Sequence, residues 1–142
     1  MEQKGKTREA RDIEDHIPEG TETILLVDDE ECLRELGVEL LSDFGYIVLT
    51  ATDGESALEV YEKELERIDL VILDLVIPGM GGKICYEEIL KMNPRAKILI
   101  VSGYPAEGPG KEALEAGAKG FVGKPFDLVH MLKTVREILD QD

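Results

Sequence analysis

Apolar residues along the chain fall into two alternating patterns. Short unbroken runs rich in strand formers occupy residues 24–27, 47–49, 70–73, 98–101 and 120–122. After each run, apolar residues recur every three or four positions, the spacing of one buried helix face. The first such set is Leu33, Leu36, Gly37, Leu40 and Leu41, and the second is Ala57, Leu58, Tyr61 and Leu65. Ile84, Cys85, Ile89 and Leu90 form the third, Ala113, Leu114 and Ala116 a short fourth, and Leu128, Met131, Leu132, Val135 and Leu139 the last. The punctuation agrees with the period. Phe44-Gly45 stops the first helix, Asp53-Gly54 turns the chain into the second, and Asn93-Pro94 stops the third. The stretch Tyr104-Pro105-Ala106-Glu107-Gly108-Pro109-Gly110 is rich in helix breakers and predicts a short start to the fourth. Residues 1–20 are polar and aperiodic and read as a tail or linker, so the folded domain is expected over 21–142.

Strands that are apolar throughout, instead of alternating, are covered on both faces. Joined by helices, they make a doubly wound α/β domain with a five-stranded parallel sheet and helices on both faces. Periodicity gives the alternation of elements and leaves the strand order open. The flavodoxin-like order 2-1-3-4-5 is adopted because the chemistry at the strand ends requires it.

The first run ends in Asp28-Asp29, with Glu30 and Glu31 behind, the third in Asp74, the fourth in Ser102 and the fifth in Lys124. In a parallel sheet these ends share one edge, where ligands bind as strand order reverses. With the first and third strands adjacent, Asp28, Asp29 and Asp74 converge. Carboxylates about 5 Å apart repel by roughly 3 kcal/mol at an effective dielectric of 20. A bound cation removes that cost, and an all-oxygen, partly open ligand set suits Mg²⁺ better than zinc. An aspartate carboxylate can act as a nucleophile toward phosphorus, with the metal, Lys124 and Ser102 on the phosphoryl oxygens.

Four segments, Val27-Asp28-Asp29-Glu30, Leu73-Asp74-Leu75-Val76-Ile77-Pro78-Gly79-Met80, Val101-Ser102-Gly103 and Lys124-Pro125-Phe126, resemble the motifs of response-regulator receiver domains. The likeness runs from about Thr23 to Leu139. It implies that Asp74 is the phosphoacceptor and that Asp28 and Asp29 are the acid pair holding Mg²⁺. It implies further that Asp29 and Asp74 ligate directly, joined by the backbone carbonyl of Val76. Ser102 matches the hydroxyl residue that contacts the phosphoryl group and shifts on phosphorylation, Lys124 the phosphate-contacting lysine, and Phe121 the switch aromatic. The family implies a cis peptide before Pro125. Val76 and Tyr104 flank the expected site and are expected to tune dephosphorylation. Gly82 stands where the family varies and carries no weight in this reading. The implied partners are a sensor histidine kinase or a histidine phosphotransfer protein, and a downstream protein reached through the fourth helix, fifth strand and last helix. Homodimerisation through the last two helices is compatible with the family.

Composition narrows the alternatives. Sixteen Lys and Arg against 31 Asp and Glu leave a net charge of −15, which repels phosphate backbones and argues against direct nucleic-acid binding. Cys32 and Cys85 lie far apart in no metal spacing and read as free thiols packed on helices in a reducing compartment. No apolar stretch suits membrane insertion or secretion, so the cytoplasm is expected. An aspartyl-phosphate hydrolase generally needs a second acid soon after its nucleophile, and Asp74 is followed by Leu75 and Val76. A receiver-like binding module that is not phosphorylated usually lacks an acid, the acceptor or the lysine, all of which stand here. The expectation is a phosphoacceptor switch and not an enzyme.

Overall fold

The computed structural model describes residues 19–103, 106–124 and 127–141, with Ala106 and Glu107 described by backbone alone. The expectations for residues 1–18, for Tyr104 and for a cis peptide at Pro125 therefore lie outside the described residues. Five strands, β1 (Thr23–Val27), β2 (Ile47–Ala51), β3 (Ile68–Asp74), β4 (Ile98–Ser102) and β5 (Gly120–Gly123), alternate with helices. These are α1 (Glu31–Asp43), α2 (Gly54–Lys63), α3 (Gly81–Met92), α4 (Lys111–Ala116) and α5 (Leu128–Leu139). The strands make one sheet in the order β2-β1-β3-β4-β5, every pair parallel. Fold class and strand order are those expected.

Side chains of successive strand residues point to opposite faces, so each apolar run feeds two cores. Leu25, Val27, Val71, Leu73, Ile98 and Ile100 pack with Ala57 and Tyr61 of α2, Cys85 and Ile89 of α3, and Ala113 of α4. Ile24, Leu26, Leu70, Ile72, Leu99 and Val101 pack with Leu41 of α1 and with Met131, Leu132, Val135 and Ile138 of α5. Local chemistry starts the helices where the punctuation indicated. The Asp53 carboxylate accepts from the Ser56 N–H at 2.8 Å while the Ser56 hydroxyl accepts from the Asp53 N–H at 3.3 Å, a reciprocal cap on α2. That hydrogen bonding lowers the Asp53 pKa. Asp127 caps α5 through the Val129 N–H at 2.9 Å.

Two expectations need correction. Leu65 lies beyond the end of α2, in the turn before β3, and is exposed, because the helix closes on the Glu64 N–H to Val60 carbonyl bond. Cys32 is exposed on the first turn of α1, whereas Cys85 is buried in α3, where burial pushes its thiol up to about 12 and leaves it unreactive. From Ala106 the chain forms a single π-helical turn (Ala106–Gly110) leading into a six-residue α4, as short as expected. No helix among the described residues is long and apolar enough to cross a membrane.

At the edge of the sheet remote from the acids, Arg136 of α5 buckles the chain together. Its guanidinium donates to Glu22 at 2.6 and 3.1 Å, to Asp140 at 2.8 and 3.1 Å, and to the Tyr46 hydroxyl at 3.4 Å. The bond to Arg136 holds the Glu22 carboxyl down at about 2 against an ordinary 4.5. A carboxyl whose folded pKa is depressed stabilises the fold above its unfolded pKa and loses that contribution as pH falls through the folded value. Glu22→Gln is therefore expected to cost about 2 kcal/mol near neutral pH, the worth of a charged hydrogen bond. The gap from wild type should close between about pH 4.5 and about pH 2. Urea unfolding at stepped pH reads it, and a gap that stayed constant with pH would show that the pair is not what Glu22 contributes.

Candidate functional site

The sheet order sets β1 beside β3, with Val27 opposite Leu73, so the residues that follow them share the C-terminal edge. There one carboxylate oxygen from each of Asp28, Asp29 and Asp74 lies within 4.8 Å of the others. Asp28 and Asp74 are buried and Asp29 is exposed, which leaves the group open on one side. At this separation two carboxylates repel by roughly 3 kcal/mol in a medium of effective dielectric 20.

Lys124, just past β5, answers that repulsion. Its ammonium lies 2.7 Å from Asp74 Oδ2, 3.3 Å from Asp28 Oδ2 and 3.5 Å from Glu30 Oε1. Its own N–H donates to the Ser102 carbonyl at 2.7 Å, which ties the lysine to the end of β4. The second oxygens of the acids are held by backbone. Asp74 Oδ1 accepts from the Val76 N–H and Asp28 Oδ1 from the Glu30 N–H, both at 2.9 Å. Burial raises the Asp74 pKa, more than the Lys124 bond and the Val76 N–H lower it, and the Asp28 charge adds to the rise. For Lys124, burial favours the neutral amine, but its bond to Asp74 and the charges of Asp74 and Asp28 outweigh that and raise its pKa. The two shifts agree physically, since the carboxylate is the more buried partner and one ammonium faces several acids.

The remaining expected residues take the following places. Ser102 is fully buried at the end of β4, in register with Gly123 and one residue beyond the partner of Asp74. Val76 is exposed beside the acids. Phe121 is half-buried on β5, with its ring against Gly110, where an added Cβ would come within 2.4 Å of it. The aromatic ring thus touches the turn that leads into α4. The structure brings Asp28, Asp29, Asp74 and Lys124 into one cluster and sets Ser102 beside them, while Phe121 stands further along β5.

Sequence reasoning missed three contributors. Glu30 completes the set of acids around Lys124, and its place directly after the acid pair was the available signal. Arg34, one helical turn later, donates to the Asp28 carbonyl at 2.8 Å. Gly82, set aside as uninformative, is buried at the start of α3. A Cβ there would lie 2.6 Å from the Leu75 Cα and 2.7 Å from the Leu75 carbonyl oxygen, and the Gly82 N–H donates to that carbonyl. The loop after Asp74 therefore rests directly on a helix that has no side chain at that point. A glycine inside a run of glycines gives no sequence cue to such a contact.

As a metal site, the cluster offers hard oxygen donors, a negative excess and an open side, which fit a small divalent cation such as Mg²⁺. Asp28, Asp29 and Asp74 could hold it.

Gly82→Ala should destabilise by about 1–3 kcal/mol, because backbone cannot give way as a side chain can. Chemical denaturation reads the loss, and amide shifts at Leu75 and Val76 should report the displaced loop. Lys124→Met should raise the Asp74 pKa further, since the buried carboxylate keeps its desolvation and loses its cation. Carbon-detected NMR titration of the Asp74 carboxyl reads it, and a fall in the midpoint would contradict the pairing.

The family model for the response regulator receiver domain matches residues 24–136. Sensor kinase CckA of Brucella abortus is 42% identical over 123 residues, which is 86% of this chain but only 13% of that protein. Chemotaxis protein CheY of Thermotoga maritima is 35% identical over 116 residues, 81% of this chain and 95% of its own length. Among solved structures, the CheX-CheY-BeF3-Mg+2 complex of Borrelia burgdorferi superposes with a TM-score of 0.80 at 30% identity, covering 84% of this chain and 90% of that one. The match runs from the second residue of β1 into α5, and the chain belongs to the response regulator receiver domain family.

Proposed function

We propose that this domain, over residues 21–142, is the phosphoacceptor switch of a cytoplasmic two-component pathway. The observation that carries the reading is the Lys124 ammonium held 2.7 Å from a buried Asp74 carboxylate inside a group of acids. An aspartate carboxylate beside a lysine ammonium, at the open edge of a parallel sheet, is placed to act as a nucleophile. Its oxygen attacks phosphorus of a phosphohistidine on a sensor kinase or phosphotransfer protein. The P–N bond breaks, the imidazole leaves with the electron pair, and an acyl phosphate forms on Asp74. Asp28, Asp29, Asp74 and the Val76 carbonyl would hold Mg²⁺, which would neutralise charge on the phosphoryl oxygens. Lys124 exchanges its bond to Asp74 Oδ2 for one to a phosphoryl oxygen, and the Ser102 hydroxyl takes another.

Output is read at α4, β5 and α5. Support for this comes from the contacts that radiate from the site. Lys124 is bonded to the end of β4, and Phe121 lies two positions earlier on β5 than Gly123, the register partner of Ser102. The Phe121 ring in turn fills the space above Gly110 at the approach to α4. A shift of Ser102 toward a phosphoryl group leaves room for Phe121 to move and repack the start of α4. The signal passes to a protein partner, in keeping with the strongly acidic chain.

Incubation with acetyl phosphate and Mg²⁺ followed by intact-protein mass spectrometry tests the reading. Wild type should gain one phosphoryl mass, and the gain should vanish without Mg²⁺ and in Asp74→Asn. Wild type that gains none and also fails to bind beryllofluoride would sink it, in favour of a binding module that is never phosphorylated.

A further inference from the structure

Arg34 has no part in the phosphoryl transfer just described, yet it holds the backbone from which two of the acids project. Besides the bond from Lys124 to its Oδ2, Asp28 is held at three atoms. Its N–H donates to the Ala51 carbonyl at the end of β2 at 3.2 Å, its Oδ1 accepts from the Glu30 N–H at 2.9 Å, and its carbonyl oxygen accepts from Arg34 Nη1 at 2.8 Å. The first two bonds locate the start and the side chain of Asp28. Of these, the third acts on the Asp28–Asp29 peptide itself, and so on the direction in which the chain carries Asp29. Arg34 is well placed to do this, because its own N–H donates to the Glu30 carbonyl at 2.9 Å, which seats it in the first turn of α1. The Glu30 side chain makes no cap for that turn, so the arginine, reaching back from within the helix, is the side chain that stitches α1 to the acid loop.

We infer that Arg34 is a positioning residue for the divalent cation, holding the Asp28–Asp29 peptide so that the exposed Asp29 carboxylate stays in range of those of Asp28 and Asp74. The inference rests on the metal site proposed above. Two physical effects of Arg34 oppose each other there. As a brace it favours cation binding, because it keeps oxygen donors at bonding separation before the ion arrives. As a permanent positive charge near the site it disfavours cation binding by Coulomb repulsion. The brace and the charge predict opposite signs when the guanidinium is removed, so one measurement separates them.

The test is Mg²⁺ titration of the full chain by calorimetry, with no phosphodonor present. Arg34→Met keeps the aliphatic stem and the helix propensity and removes both donor and charge. Arg67→Met removes an equal charge from an exposed arginine bonded to Glu64 in the turn after α2, and serves as the control. The expected result is Mg²⁺ affinity weakened roughly tenfold in Arg34→Met, the scale of losing a support behind a metal ligand, and unchanged in Arg67→Met. In metal-free protein, amide exchange at Glu30 should be faster in Arg34→Met, since the loop that orients the Asp28 carboxylate has lost its tie. If Arg34→Met does not fold, Arg34→Gln reads the same affinity. Tighter or unchanged Mg²⁺ binding in the Arg34 variant would overturn the inference while leaving the metal site intact. An equal loss in Arg67→Met would overturn it, because the weakening would then not depend on the bond to the Asp28 carbonyl. Wild type that takes up no Mg²⁺ at all would overturn the metal site, and this inference with it.

Discussion

The concentration of negative charge at one edge of the sheet is the constraint on which the rest of this structure depends. Asp28 and Asp74 are buried and face each other across adjacent strands, with Asp29 within range of both. Left alone, such a group would protonate or pull the loops apart, because burial and mutual repulsion both act against ionised carboxylates. What keeps it together is a lysine carried in from the fifth strand, far away in sequence and 2.7 Å away in space. The balance is incomplete, with one ammonium among several acids, and the residual negative charge suits the pocket to a cation.

Much of the surrounding architecture can be understood as support for that arrangement. Asp28 and Asp74 each have one oxygen held by a backbone N–H, which leaves the other for Lys124. The loop after Asp74 lies flat on Gly82, so the start of α3 fixes it without a side chain between them. Arg34 fastens the loop after β1 to α1. At the far edge of the sheet, Arg136 joins α5 to Glu22 and Tyr46, so the helix that forms part of the proposed output face is anchored at the end remote from the acids.

The chain is similar both to nearly the whole of a CheY and to a small part of a sensor kinase. The same fold therefore occurs both as nearly a whole protein and as a small part of a larger one. The acid pocket, the Phe121 ring over Gly110 and the one-sided exposure of Asp29 concern the module alone.

The sequence by itself determined the alternation of strands and helices, because an apolar run covered on both faces and an amphipathic period are local patterns. It placed Asp28, Asp29, Asp74, Ser102 and Lys124 at strand ends, and the strand order then brought them to one edge. It misplaced Leu65, because the period continues past the point where the chain turns toward β3. It identified stripes but not their margins, so Leu36, Ile84, Leu114 and Leu128 fit the helical spacing and are still more than a third exposed. Only the tertiary structure decided how the acids are neutralised, why Gly82 carries no side chain, and what Arg34 holds. Each of these depends on distances between atoms from different elements, set by strand register and helix packing, and no local pattern in a chain encodes such a distance.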